Sequence, residues 1–157
     1  MISLHDQKEI VQSLLQQEKE KYDFIFIDTS STMNLMNQAI LFAGESINIV
    51  CESLPVTFKR IKTALHTISM LFHRIKKDVP YSLIINKYMP QSPQSQKLLG
   101  RLRMEYGNRV LDSIIKQCKD IEYANNRRQP LVSFCNQKSS AIQDLIALQR
   151  ELLRKST

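Results

Sequence analysis

The sequence is poor in glycine, in cysteine and in long apolar runs, and each shortage argues against a class of protein. Only three of the 157 residues are glycine, and none lies in the G-x-x-x-x-G-K-S/T pattern of a phosphate-binding loop. The three cysteines lack the C-x-x-C spacing of a zinc site and suit a reducing compartment. No apolar run approaches the ~18 residues of a membrane span, and the N-terminus lacks the apolar core of a signal peptide. We therefore expect a cytoplasmic protein without a membrane span or a metal site.

Positive charge exceeds negative charge along the chain. There are 22 Lys and Arg against 15 Asp and Glu, which gives a net charge of +7 at pH 7. Such an excess favours polyanionic partners, either nucleic acid or an anionic membrane face. A solvated basic face without a partner would produce the same composition. The charge therefore leaves both interpretations open.

Strand-like and helix-like segments alternate. Residues 1–21 have the apolar spacing of an amphipathic helix, opened by a capping box at Ser3 and Asp6. The apolar runs at Phe24–Asp28, Ser46–Val50 and Tyr81–Ile85 are typical of strands buried on both faces. The remaining segments are predicted as helices at Met33–Gly44, Val56–Lys77, Leu98–Gly107 and Ser139–Lys155, and as one or two strands at Arg109–Cys118 and Pro130–Cys135. This alternation predicts an α/β fold, a single domain over residues 1–157 with a mainly parallel sheet flanked by helices.

Polar residues follow two of the predicted strands. Asp28 and Thr29 come directly after the first strand, and Asn86 follows the third. Ligands of parallel sheets gather beyond the carboxyl ends of the strands. A carboxylate and a hydroxyl there can hold hydrated Mg²⁺ beside phosphates, and an asparagine can contact a base. Alternatively, Asp28 opens a turn whose Ser31 or Thr32 caps the next helix, and Asn86 is a turn residue.

Basic residues supply candidate contacts to DNA phosphates. Lys59 and Lys62 lie on the polar side of the longest predicted helix. The second half of the chain adds Arg101, Arg103, Lys116, Lys119, Arg127 and Arg128. These side chains could contact the phosphates of DNA, but a solvated helix face has the same pattern.

Taken together, the segments resemble a known family. The stretch YDFIFIDTSSTMNLMNQAILFAGESINIVCES, residues 22–53, resembles the second half of the ParA/MinD superfamily of ATPases, in which a strand ending in I-D-T-P-P precedes a helix and another strand. The stretch YSLIINKYMPQSP, residues 81–93, resembles that family's strand and loop near adenine. The resemblance extends from Tyr22 to Leu153. It implies ATP and Mg²⁺ as the family's ligands, Asp28, Thr29 and Asn86 as vestigial nucleotide contacts, and a role in plasmid or chromosome partitioning.

The chain departs from the family pattern at several points. The family's K-G-G-x-G-K-T phosphate loop, which precedes this region, is absent from the sequence. The two prolines after I-D-T are replaced by Ser30 and Ser31. The proline and arginine of I-P-R are replaced by Lys116 and Gln117. Two arginines that the family uses to contact DNA are replaced by Gln91 and Asp120. We therefore expect no ATPase activity from this chain alone. The Phe24–Asp28 and Ser46–Val50 strands should pair with each other, with an N-terminal segment or with another chain, because unpaired buried backbone is costly.

Three hypotheses about function follow. The chain is a non-catalytic interaction module that binds a protein partner, a second copy of itself through the sheet edge or helices, or non-specific DNA. Alternatively, it is the C-terminal part of an active partition-type ATPase whose phosphate loop is supplied elsewhere. In the third hypothesis it is a MinD-like or pilus-assembly positioning protein.

Overall fold

Helices precede, separate and follow three strands in the computed structural model, which describes residues 3–76, 78–136 and 138–156. The elements are α1 (Leu4–Lys19), α2 (Leu35–Ala43), β1 (Ile47–Glu52), α3 (Thr57–Ile75), β2 (Tyr81–Tyr88), α4 (Pro93–Tyr106), a 3₁₀ turn (Gly107–Arg109), β3 (Val110–Lys116), α5 (Lys119–Asn126), α6 (Leu131–Phe134) and α7 (Ser140–Ser156). Lys77, the predicted end of the long helix, lies outside the described residues. No helix among the described residues is long and apolar enough to cross a bilayer.

The chain divides into two compact units. The first contains Met1–Ile47 and His66–Pro80, and the second contains Asn48–Leu65 and Tyr81–Thr157. The expectation of one domain over residues 1–157 stays a prediction.

The first unit is built on the packing of α1 against α2. The predicted capping box is present, since Ser3 Oγ accepts from the Asp6 N–H at 3.2 Å and Asp6 Oδ2 accepts from the Ser3 N–H at 2.8 Å. These hydrogen bonds also hold the pKa of Asp6 below its ordinary value. Phe42 and Phe72 form the centre of the core, with an edge-to-face contact between ring centroids 6.0 Å apart. The predicted N-terminal helix is therefore confirmed.

The predicted strand at Phe24–Asp28 is wrong. Residues 24–30 form neither helix nor strand, and all of them are exposed. Phe26 leaves 69% of its surface in solvent. A strand requires a neighbour for its N–H and C=O groups, and the sheet among the described residues consists of β1, β2 and β3 only. Apolar composition alone cannot replace that neighbour.

The three strands form a parallel sheet in the order β1-β2-β3, flanked by helices, which confirms the predicted fold class. The central strand β2 carries the buried residues Leu83, Ile84 and Ile85. The predicted Ser46–Val50 strand forms, but its burial on both faces is wrong, because Val50 is 62% exposed while Cys51 on the opposite face is buried. An edge strand with one uncovered face explains the difference.

The second unit buries one face of the sheet under α3 and α4. Phe58 and Ile61 from α3 and Leu98 and Leu102 from α4 pack on Leu83 and the residues around it. The predicted helices over these segments are confirmed. Of the two further strands, Arg109–Cys118 forms β3, whereas Pro130–Cys135 contains the short helix α6 instead.

Helix α7 covers the outer edge of β3 with carboxylates. Glu151, which is buried, accepts hydrogen bonds from the N–H groups of Asp112 at 2.9 Å and Ser113 at 2.7 Å. Asp144 accepts from the N–H of Lys116 at 3.1 Å and from its ammonium at 2.7 Å. Burial raises the pKa of Glu151, but the hydrogen bonds from Ser113 and Asp112 outweigh burial and lower it. The edge of β3 is thus satisfied within the chain.

We expect Glu151→Gln to lower the free energy of unfolding by about 1.5–3 kcal/mol, the value of a hydrogen bond to a charged group. The glutamine amide offers one acceptor oxygen where two backbone N–H groups require acceptors. Urea unfolding at pH 7 measures the loss. Glu20→Gln, at an exposed position, removes the same charge and is the control. Equal stability of the two variants would contradict this role of Glu151.

The same carboxylate predicts an acid-sensitive contribution to stability. Because the pKa of Glu151 is lower in the folded protein, its stabilisation is complete above the unfolded pKa of about 4.3. It is lost as pH falls through the lower pKa of the folded protein. We therefore expect the stability difference between wild type and Glu151→Gln to shrink between about pH 5 and pH 3. Urea unfolding measures this difference. A difference that stays constant over this pH range would contradict a stabilising role for the ionised Glu151 carboxylate.

Candidate functional site

The carboxyl ends of β1 and β2 bring together four polar residues. The backbone N–H of Ser53, just after β1, donates to the carbonyl of Asn86 in β2 at 3.1 Å. This bond places Glu52 beside Lys87, and their side chains form an ion pair. The Glu52 carboxylate raises the pKa of the Lys87 ammonium, which therefore stays protonated.

The backbone is strained at the same point. Lys87 has a φ of 52°, in the left-handed region that residues with a side chain rarely enter. The pairing register of β2 with β3 shifts between Ile85 and Tyr88, so Asn86 and Lys87 form a bulge. The Lys87 N–H bonds to the side-chain oxygen of Asn86 at 2.9 Å. Bulges of this kind are common beside functional sites, where they redirect a side chain.

A buried hydroxyl without a partner lies next to this bulge. Ser53 is 4% exposed, and its Oγ has no hydrogen-bond partner among the described residues. An unpaired buried hydroxyl is unfavourable. A ligand or an ordered water at this edge of the sheet would satisfy it. Ser53 and Glu52 were not predicted as site residues from the sequence, because only the pairing of β1 with β2 brings them to Asn86. Lys87 directly follows Asn86 in the chain.

Asp28 and Thr29 belong to the first unit, whereas Asn86 belongs to the second. Asp28 and Thr29 are exposed and lie in the segment that forms neither helix nor strand. The turn after them is held by Asn37 of α2, whose amide donates to the carbonyls of Ser30 at 2.9 Å and Thr32 at 2.6 Å. The predicted cap at Ser31 or Thr32 is wrong. The cap of α2 is Asn34, whose side chain accepts from the N–H of Asn37.

The structure brings two of the predicted DNA contacts together. The ammonium of Lys62 lies 5.1 Å from the ring centroid of Phe58, and the guanidinium of Arg101 lies 3.6 Å from it. Lys62 also forms an ion pair with Glu105 at 2.8 Å. These contacts place cations from α3 and α4 on one surface of the second unit.

The other six predicted DNA contacts are spread over α3, α4, β3 and the region of α5. Arg103 approaches Asp112 at 3.9 Å, and Lys116 is paired with Asp144. The guanidinium of Arg127 stacks on the Tyr123 ring at 4.3 Å. Lys59 is exposed on α3, Lys119 begins α5, and Arg128 follows its end in a left-handed conformation. A common surface for all eight residues stays a prediction.

The structure offers no ready metal centre in its described part. No group of three or more His, Cys, Asp and Glu side chains there is arranged to hold a metal ion. Cys51, which precedes Glu52, is 3% exposed, and burial raises the pKa of its thiol to about 12. It behaves as a core residue.

Comparison with known proteins provides the context for this site. An uncharacterized protein of Methanocaldococcus jannaschii is 29% identical over 129 residues, covering 79% of this chain and 49% of its own length. An uncharacterized protein of Mycobacterium tuberculosis is 20% identical over 135 residues, covering 85% of this chain and 42% of its own. The chain thus spans about half the length of the curated relatives it matches.

The fold also matches a solved structure. A protein of Borrelia burgdorferi B31 assigned to plasmid partition, in a crystal structure with AMPPNP bound, superposes with a TM-score of 0.65 at 14% identity. The match covers 90% of this chain and 55% of that one. The AAA domain family matches residues 1–81, just over half of the chain. The chain therefore belongs to this AAA domain family and is a member of the ParA/MinD superfamily.

Proposed function

We propose that this chain acts as a non-catalytic interaction module of the ParA/MinD type in plasmid or chromosome partitioning. The observation that carries the proposal is the state of the Asp28 segment, which is exposed and outside the sheet. The resemblance to the ParA/MinD superfamily implies that Asp28 and Thr29 lie beside a bound nucleotide. A carboxylate on an exposed segment without a neighbouring strand is not held in the fixed geometry that Mg²⁺ requires.

The chemistry of phosphate binding supports the same proposal. Affinity for phosphate in this class of fold comes from a glycine-rich cradle of backbone N–H groups, and the three glycines of the chain do not form one. The groups at the ends of β1 and β2 are of a different kind. The side chains of Asn86 and Ser53 are neutral and suit hydrogen bonds to a base or sugar. The Lys87 ammonium, which could otherwise bind phosphate, is paired with Glu52. Contacts to a base without a phosphate cradle would give weak binding.

We expect no binding when the chain is titrated with a fluorescent ATP analogue and Mg²⁺ up to millimolar concentration. Asp28→Ala should behave as the wild type does. Asp23→Ala, which removes an exposed carboxylate from the same segment, is the matched control. Binding that Asp28→Ala abolishes and Asp23→Ala leaves intact would overturn the non-catalytic proposal.

That contrary outcome would mean that the chain itself holds a phosphate site. The second candidate is the C-terminal part of an active ATPase whose phosphate loop is supplied elsewhere, and it predicts nucleotide binding only when the segment with that loop is added. The observation in its favour is the partial match to the AMPPNP-bound partition protein, because this chain covers only 55% of that protein's length. In this candidate Asp28, Thr29 and Asn86 become working nucleotide contacts, with ATP and Mg²⁺ as ligands. The two candidates differ in whether the chain contributes to a nucleotide site once the segment with the phosphate loop is present.

We also propose weak, non-specific binding to DNA through the surface around Phe58. Exposed Lys59 and the stacked Arg101 are its principal cations, since Lys62 is partly neutralised by Glu105. A stacked guanidinium keeps its charge and its outward N–H donors, so it can still contact phosphate.

Retention on a non-specific DNA column should fall steeply between about 50 and 200 mM salt, as phosphate contacts require. Replacing both Lys59 and Arg101 by glutamine should lower the slope of log affinity against log salt by about 2, since each phosphate contact contributes about 0.9. Replacing Lys138 and Arg150 by glutamine removes the same charge from other exposed positions and should change the slope less. The absence of retention at low salt would exclude DNA as a partner.

A further inference from the structure

The two edges of the sheet differ in whether other residues of the chain cover them. The outer edge of β3 is closed, because Glu151 and Asp144 occupy the N–H groups of Asp112, Ser113 and Lys116. At the other edge, no strand lies beyond β1 in the described part of the chain. An open edge is a template for the addition of another strand unless the chain protects it.

The outward groups of β1 can be identified from its hydrogen bonds. The N–H groups of Ile47 and Ser53 point toward β2, since they donate to Pro80 and Asn86. Along a parallel strand, alternate residues direct their N–H and C=O groups to opposite sides. Asn48 and Val50, one and three residues after Ile47, therefore direct these groups to the outer edge.

The usual protections of an edge strand are missing from β1. Its sequence, INIVCE, contains no lysine, no proline and no glycine. Its exposed face carries Val50, which is 62% exposed, where a charged side chain would discourage association. The carboxylate of Glu52 is the only charge, and Lys87 already neutralises it. The edge is therefore suited to accept a strand.

The same chain carries a strand-like segment that pairs with no strand in the part that the structure describes. Tyr22–Ile27 contains five large apolar residues that are between 38% and 69% exposed. Aromatic and β-branched residues of this kind have a high preference for strands. An exposed six-residue segment with five such residues and one charge, on Asp23, is a hazard for aggregation unless something covers it. The segment is as long as β1, which also has six residues.

We propose that two copies of this chain associate by exchanging strands, with Tyr22–Ile27 of each copy adding to the outer edge of β1 in the other. A second copy fits because each chain offers one donor segment and one acceptor edge. Reciprocal exchange then gives a closed dimer with twofold symmetry, in which every donor segment and every acceptor edge is paired. Backbone hydrogen bonds provide the affinity, as in other cases of strand addition. The proposal does not depend on nucleotide or DNA.

The test is the mass of the full chain in solution by light scattering, over about 1–200 µM. We expect a transition from 18.3 kDa to twice that value. Val50→Pro removes an outward N–H group and leaves the bonds to β2 in place, because proline is tolerated at a solvent-facing edge position. It should weaken association at least tenfold. Val50→Thr keeps the N–H group and the strand preference, so it should associate as the wild type does.

Two further measurements guard against misfolding and identify the donor. Phe26→Asp changes only the exposed segment and should also give a monomer, with an unchanged circular dichroism spectrum. A labelled synthetic peptide of residues 21–29 should bind the Phe26→Asp protein and not the protein that also carries Val50→Pro. High salt should strengthen the association of two chains of charge +7, in contrast to the binding of DNA.

The proposal fails if the wild type stays monomeric to 200 µM. It fails in that case even if the peptide binds, because the edge would then serve a different polypeptide. It also fails if Val50→Pro, folded by circular dichroism, remains a dimer.

Discussion

Backbone pairing is the constraint on which the other features of this chain depend. Strand β2 is paired on both sides, and its central residues Leu83 to Ile85 are buried. Strand β3 is paired on one side and capped by α7 on the other, whereas β1 is paired with β2 only within the described part of the chain. Phe24–Asp28 is exposed throughout and has no strand beside it among the same residues. Burial follows pairing, because an unpaired strand must leave its polar backbone in water and loses the neighbours against which its side chains would pack.

The candidate site is a consequence of the same pairing. The bond from Ser53 to Asn86 aligns the ends of β1 and β2 and so places Glu52 beside Lys87. Two unfavourable features coincide there, the left-handed backbone of Lys87 and the unpartnered hydroxyl of Ser53. A left-handed residue and an unpaired buried hydroxyl each cost about 1–3 kcal/mol. Both features lie at the carboxyl edge of a parallel sheet, where ligands of such folds commonly bind.

Ion pairing reduces the positive charge that a polyanion could contact to less than the net charge suggests. Lys62, Lys87 and Lys116 each face a carboxylate, namely Glu105, Glu52 and Asp144. Exposed pairs of this kind add little to stability, but they reduce the local positive potential that a polyanion would meet. The cations that stack on aromatic rings, Arg101 on Phe58 and Arg127 on Tyr123, keep their charge and lose conformational freedom. Of these two, Arg101 belongs to the surface that we propose for DNA.

The sequence by itself determined the α/β class, the helices at both ends and the family, because periodicity and motif order are local properties of the chain. Ser3 with Asp6 predicted the start of α1 correctly, since a capping box lies within four residues. The tertiary structure alone decided the state of Phe24–Asp28, the exposure of Val50 and the partners of Asn86. Each of these depends on which strand lies alongside, and a strand's neighbours are set by residues distant in the chain. Apolar composition shows that a segment can be buried, and only pairing decides whether it is.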